Sequence, residues 1–222
     1  MPAPEAPGSQ PPITAGRTLD HAARLYDWLS PLMMLGQDRA ACRDVVARLS
    51  LAGTERVLDL GCGTGALTRA IAARLTVPTA LAVGLDAAPR MVAVARRNAR
   101  RRTHLRFDVG VAERLPYPAV SFDCAVSTFF FHHVNYDLKL LALNELARVL
   151  RPGARAIVVD LDVPTTAWGR LAGWSAFRFL GQPEIRENLE GRLRAAFAQS
   201  RFRSWRAVSH QAGYISGFEL MN

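Results

Sequence analysis

Val57-Leu-Asp-Leu-Gly-Cys-Gly-Thr-Gly65 decides the fold. Arg56–Leu60 is a short apolar run of the length and character of a buried strand, and it stops at a glycine. Glycines at alternate positions let the backbone turn sharply and let a ligand approach the main chain without meeting Cβ atoms. The helix expected from Ala66 to Leu75 then offers its unpaired N–H groups to that ligand. A second apolar strand, Leu81–Leu85, ends at Asp86, about 20 residues beyond the loop, where a carboxylate can accept hydrogen bonds from ribose hydroxyls. Gly61, Gly63 and Ala66 also satisfy the relaxed dinucleotide signature GxGxxG/A. Asp59 separates the two readings: a carboxylate just ahead of the loop repels a pyrophosphate and favours a cationic ligand.

Working outward, strands and helices alternate. A helix is expected over Arg90–Arg101, strands over His104–Val109 and Phe122–Ser127, and a helix over Leu138–Leu150. A turn is expected at Pro152-Gly153 and a fifth strand over Ala154–Leu161. That alternation implies parallel strands joined by right-handed crossovers. Beyond it, Trp168–Leu180 and Asn188–Gln199 read as helices, and Phe202–Ser209 and Gly213–Leu220 as two more strands, antiparallel to one another. Upstream, Leu25, Trp28 and Leu29 form one helical stripe and Val45, Val46 and Leu49 another, with a break at Pro31 and Gly36. The first 16 residues hold five prolines and read as a tail. The expected organisation is therefore a tail (1–16) and one domain (17–222). Within the domain, 17–50 form a helical lid, 51–162 a cofactor-binding core, and 163–222 acceptor-side helices and final strands.

These motifs resemble class I S-adenosylmethionine (SAM)-dependent methyltransferases. DLGCGTG is similar to the first motif of that family, and Gly84-Leu-Asp-Ala-Ala-Pro-Arg-Met91 to the second. Gly110-Val-Ala-Glu-Arg-Leu-Pro116 is similar to the segment GDAxxLPF, with Val111 where the family usually has Asp. Ser121–Val126 and Leu146–Gly153 match the fourth strand and the turn before the fifth. Tyr26-Asp27 and His132-His133 resemble the branch that holds ubiquinone/menaquinone and small-molecule methyltransferases. The resemblance implies an α/β fold: a doubly wound, seven-stranded Rossmann-like sheet with an N-terminal helical lid and a helical insertion after strand five. It implies SAM as cofactor, held by Asp59, Gly61, Gly63, Gly65, Asp86, Met91, Ala112, Glu113 and Ser127. It also implies methyl transfer to a small, apolar acceptor, with release of S-adenosylhomocysteine (SAH).

A general base is needed only if the acceptor must lose a proton. His132 and His133 stand where strand four delivers side chains to the acceptor and titrate near neutrality; pocket shaping is the competing role. Phe129–Phe131 and the stripe Trp168, Leu171, Trp174, Phe177 are expected at the acceptor, where apolar walls would desolvate it. Packing of the added helix explains the same stripe. So does contact with a membrane surface, since Arg170 and Arg178 flank the aromatics. A nicotinamide-dependent oxidoreductase and a non-catalytic SAM-binding module are the rival readings.

Composition narrows the field. The net charge of +9 comes almost wholly from arginine, Lys139 being the single lysine. Arg96, Arg97, Arg100, Arg101 and Arg102 form the densest run, on what reads as a solvated helix face; no RNA-reading module accompanies them, and no nucleic-acid partner is expected. Cys42, Cys62 and Cys124 lack metal-ligand spacing, so no metal site is expected. No run approaches the ~18 apolar residues of a membrane span, and no signal pattern opens the chain, so the cytoplasm is the expected compartment.

Overall fold

The computed structural model describes residues 14, 16, 37–100 and 102–222. Helix α1 is Gln37–Leu49. Then follow β1 Arg56–Leu60, α2 Ala66–Ala72, β2 Leu81–Asp86, α3 Pro89–Asn98, β3 Leu105–Val109 and β4 Phe122–Thr128. A single 3₁₀ turn, Phe131–His133, leads into α4 Tyr136–Val149 and β5 Leu150–Leu161. The chain closes with α5 Ala167–Leu180, α6 Pro183–Leu189, α7 Arg192–Gln199, β6 Ser204–Gln211 and β7 Ile215–Met221.

The strands form one seven-stranded sheet in the order β3-β2-β1-β4-β5-β7-β6. β1 pairs parallel with β2 and β4, β2 with β3, and β4 with β5. β7 runs antiparallel to both of its neighbours. Chain order reverses between β1 and β4, which opens a crevice at the carboxyl ends of those strands.

Both faces of the sheet are covered, and strand periodicity shows how. Leu58, Leu60, Val83, Leu85, Ala156 and Val158 face Leu143 and Leu146 of α4 and Leu193 and Phe197 of α7. Val57, Ala82, Val126, Ile157 and Val159 face the other way, onto Val45 and Leu49 of α1, Ile71 of α2, and Ile185 and Leu189 of α6. Fully burying one such leucine or isoleucine contributes about 1.5–3 kcal/mol. The stripe Val45, Val46, Leu49 is thus a core stripe. The other expected N-terminal stripe, Leu25, Trp28 and Leu29, lies outside the described residues, as do Tyr26, Asp27 and Arg101.

Several expected elements are corrected. The Arg90–Arg101 helix ends at Asn98. Pro152-Gly153 is not a turn between elements but lies within β5, where Gly153 has φ 77° and donates its N–H to the Asn222 carbonyl. The single helix expected over Asn188–Gln199 is two helices, broken at Glu190-Gly191, where Gly191 has φ 89°. Asn188 therefore belongs to α6 and is fully buried. The last two strands begin two residues later than expected and form an antiparallel hairpin.

Candidate functional site

The glycine loop is pinned by its neighbours. The N–H groups of Gly61 and Cys62 both donate to the Leu85 carbonyl, at 2.8 and 3.0 Å, which ties the turn after β1 to the end of β2. Gly61, Gly63 and Gly65 have φ of 73°, 52° and 76°, a region that residues with a Cβ rarely occupy. A Cβ at Gly63 would meet nothing within 4 Å, so this bend of the loop borders open space. Asp86 closes the loop from the β2 side. Its Oδ2 accepts from the Gly63 N–H and its Oδ1 from the Ala88 N–H, each at 2.9 Å. Met91, in the first turn of α3, is buried beside Ala88 and Val94.

Asp59 differs from its expected setting. It is buried, and its Oδ2 accepts from the Thr68 hydroxyl at 2.6 Å. Burial pushes its carboxyl up to about 7, partly opposed by the Thr68 hydrogen bond and reinforced by the charge of Asp86. The group is thus poised between neutral and ionised near neutral pH, and a neighbouring cation would favour ionisation. Ser127 uses its hydroxyl internally, donating to the Leu60 carbonyl at 3.0 Å and joining the ends of β1 and β4.

After β3, Ala112 is buried in the core and Glu113 is half-buried, its Oε1 accepting from the Thr14 hydroxyl at 2.8 Å. A residue of the expected tail is therefore bonded to the cofactor side of the domain. Val111, at the position where the family usually has Asp, is buried and bridges to Arg114.

Across the crevice, the turn after β4 presents both histidines. His132 Nδ1 lies 2.7 Å from Asp160 Oδ1, at the end of β5. A carboxylate only accepts, so Nδ1 donates to Asp160 and Nε2 is the ring nitrogen outside that bond. Asp160 also accepts from the Phe131 N–H at 2.7 Å, the Leu161 N–H at 2.8 Å and the Asn188 amide at 3.3 Å. Burial alone would raise its carboxyl, but the attraction and hydrogen bond of His132, with the other donors, hold it below its ordinary value. The His133 ring stacks tilted on His132, with centroids 4.0 Å apart. Behind them, buried Lys139 donates to the Val134 carbonyl at 2.5 Å and to Glu187 of α6 at 2.8 Å, fixing the turn to α4 and α6.

The structure thus gathers the predicted residues at the carboxyl ends of the parallel strands, cofactor candidates on one side and histidines on the other. Asp160 and Asn188 escaped sequence reading. Asp160 closes an apolar strand and carries no local motif; its only signal is an acid at the end of a strand facing a histidine pair. The cysteines lie apart, Cys62 with Phe107 beside α3, and Cys42 and Cys124 in the cluster beneath α1 and α2. Arg96 donates to the Phe107 carbonyl and binds α3 to β3, so one member of the arginine run has a structural task.

The fold and the glycine-loop geometry resemble those of class I, SAM-dependent methyltransferase domains. Residues 57–153 match the family model described as a methyltransferase domain. The chain is 36% identical over 142 residues to a demethylmenaquinone methyltransferase of Deinococcus radiodurans, covering 64% of this chain and 57% of that protein. It is 32% identical over 143 residues to a ubiquinone/menaquinone biosynthesis C-methyltransferase of a Geobacter species, covering 63% of this chain and 60% of that protein. The chain spans about three-fifths of the length of these curated relatives. Among solved structures, a SAM-dependent methyltransferase from Aquifex aeolicus superposes with a TM-score of 0.64 at 19% identity, covering 92% of this chain and 99% of that one. A protein described as a (4+2)-cyclase superposes at 0.61 and 22% identity, covering 96% and 98%. At such identities the likeness concerns the fold alone.

Proposed function

We propose that this chain transfers the methyl group of SAM to a small, apolar acceptor, with His132 as the group that holds or takes the acceptor's proton. The observation that carries the reading is the pairing, across one crevice, of a glycine loop clamped by Asp86 with a His132–Asp160 dyad. The residues fit the cofactor on three counts. The loop is open at Gly63, Asp86 sets its carboxylate against the loop at the end of β2, and Asp59 is a buried carboxyl that a cation would ionise.

Bound SAM would supply an electrophilic methyl group. The chain's own residues do the rest. Asp86 would take the ribose hydroxyls, Met91 and Ala112 would pack against the adenine, and Glu113 would lie at its edge. Asp59 would meet the amino group through its charge. Asp160 would keep His132 in the tautomer with Nε2 unprotonated and would stabilise the imidazolium formed when Nε2 accepts a proton. Phe129 and Phe130, beside the histidines, would exclude water from the acceptor. The names of the curated relatives point to ring acceptors of the quinone type; in the hydroquinone form the dyad could take a hydroxyl proton, which would make the adjacent ring carbon nucleophilic toward the methyl group, and that carbon's own proton would be lost as the aromatic ring is restored. Incubation with methyl-labelled SAM and a demethylmenaquinone analogue, read by mass spectrometry, tests the reading. Label in the quinone supports it; SAH binding without label in any acceptor would overturn it in favour of a non-catalytic SAM-binding module.

A further inference from the structure

Helix α5 is packed inside out. Among its described side-chain positions the buried ones are Gly169 and Gly173, whereas Trp168, Leu171 and Trp174 are 67%, 61% and 39% exposed. The close approach on the inner side is specific. A Cβ at Gly169 would overlap the main-chain carbonyl of Gly213, and one at Gly173 would lie 2.9 Å from Leu189 Cδ2. The helix is therefore held to the β6–β7 turn and to α6 through glycines, and Trp168, Leu171 and Trp174 are left outside. Thr166 caps its start, accepting from the Gly169 N–H at 2.9 Å, and Gly181 ends it in the left-handed conformation. Of its described aromatics, Phe177 alone reaches the core, with Trp174 edge-on to it at 5.8 Å.

The charged residues of the helix itself have one sign. Arg170 and Arg178 are exposed along it, and no acidic residue occurs between Asp162 and Glu184. A stripe of exposed tryptophan and leucine edged by arginine has the chemistry of an interfacial helix: aromatic rings suit the headgroup level, and arginines reach anionic headgroups. The helix follows the carboxyl end of β5, on the edge of the sheet where the site opens, so a surface met by α5 would lie beside the acceptor crevice.

We infer that the outer face of α5, through Trp168, Leu171, Trp174, Arg170 and Arg178, docks the protein on the surface of an anionic lipid bilayer. This goes beyond the proposed methyl transfer, and its test uses neither SAM nor an acceptor. The full chain is sedimented with vesicles of phosphatidylcholine, with and without phosphatidylglycerol. The expected result is partition onto the anionic vesicles only, weakened by salt. Trp168→Ser/Leu171→Ser/Trp174→Ser should abolish it while lowering the melting temperature by only a few degrees. Arg170→Glu or Arg178→Glu should each weaken it by at least roughly fivefold, the worth of one cation at an anionic leaflet. Three results would overturn the inference: no partition of the wild type, equal partition of the serine variant, or a serine variant that binds less because its melting temperature has collapsed, which would mean that the chain itself covers the face. A wild type that is dimeric in solution, with a monomeric serine variant and no lipid binding by either, would assign the face to a second copy instead.

Discussion

Asp59 and Asp86 both lie at the loop, but the structure gives them opposite electrostatic settings. Asp86 accepts two main-chain N–H bonds; Asp59 is buried with a hydroxyl partner and its carboxyl raised to about 7. Removing Asp86 takes away a charged acceptor, so Asp86→Ala should weaken SAH binding by about 1.5–3 kcal/mol in calorimetry. Part of that loss would come through the loop, because Gly63 loses its partner too. For Asp59 the sign follows from linkage. Its folded value is raised above the usual 3.8, so its contribution to stability is full below about pH 4 and is lost as pH rises to about 7. Asp59→Asn abolishes that titration. Relative to wild type, the variant should gain melting temperature above pH 7 and show no gain near pH 4. A cation in the site favours the carboxylate, so SAM binding below about pH 7 should release a proton and weaken with acidification. Calorimetry in buffers of different ionisation enthalpy would read this; proton uptake would contradict a cationic ligand. For the dyad, His132→Ala should lower turnover by about 10²–10⁴ if the acceptor must be deprotonated. Asp160→Asn should lower it through loss of the imidazole tautomer, with SAH affinity unchanged in both.

At the scale of elements, legibility followed locality. The strand–glycine-loop–helix unit and Asp86 were readable because each residue's role is set by its immediate neighbours. The two histidines were readable as candidates, but Asp160, which defines what His132 can do, was not. It is 28 positions away and meets His132 only because β4 and β5 pair in parallel. The break at Glu190-Gly191 was missed because apolar residues continue in helical spacing on either side of it. Helix α5 shows the opposite failure. Its aromatic stripe was visible, but stripes ordinarily face inward, and only the close fit of Gly169 and Gly173 turns this one out. Trp174→Ala should therefore cost about 1 kcal/mol of stability, well below the ~3–5 kcal/mol of a core tryptophan. Gly169→Ala, which adds one methyl group against the Gly213 carbonyl, should cost about 1–3 kcal/mol. Urea denaturation of the two variants would check the ranking; a larger loss from Trp174→Ala would restore the core reading of the stripe.

Across the whole molecule, the candidate groups come from the carboxyl ends of β1 to β5 and the first turn of α3, and converge because parallel strands end at one edge. The antiparallel β7 supplies none of the candidate residues; it completes the sheet and, with α4 and α7, fixes β5 so that Asp160 is held under the His132 turn. The fold, shared with a cyclase, does not by itself select the reaction, and the central claim is that this chain moves a methyl group. The measurement that tests it most directly is transfer of isotope-labelled methyl from SAM into a lipid-soluble metabolite extract, comparing wild type with Asp86→Ala and His132→Ala. The account predicts one or more acceptors whose mass rises by a labelled methyl group with stoichiometric SAH, strongly reduced in both variants. Label in no acceptor from a folded, SAH-binding wild type would contradict it.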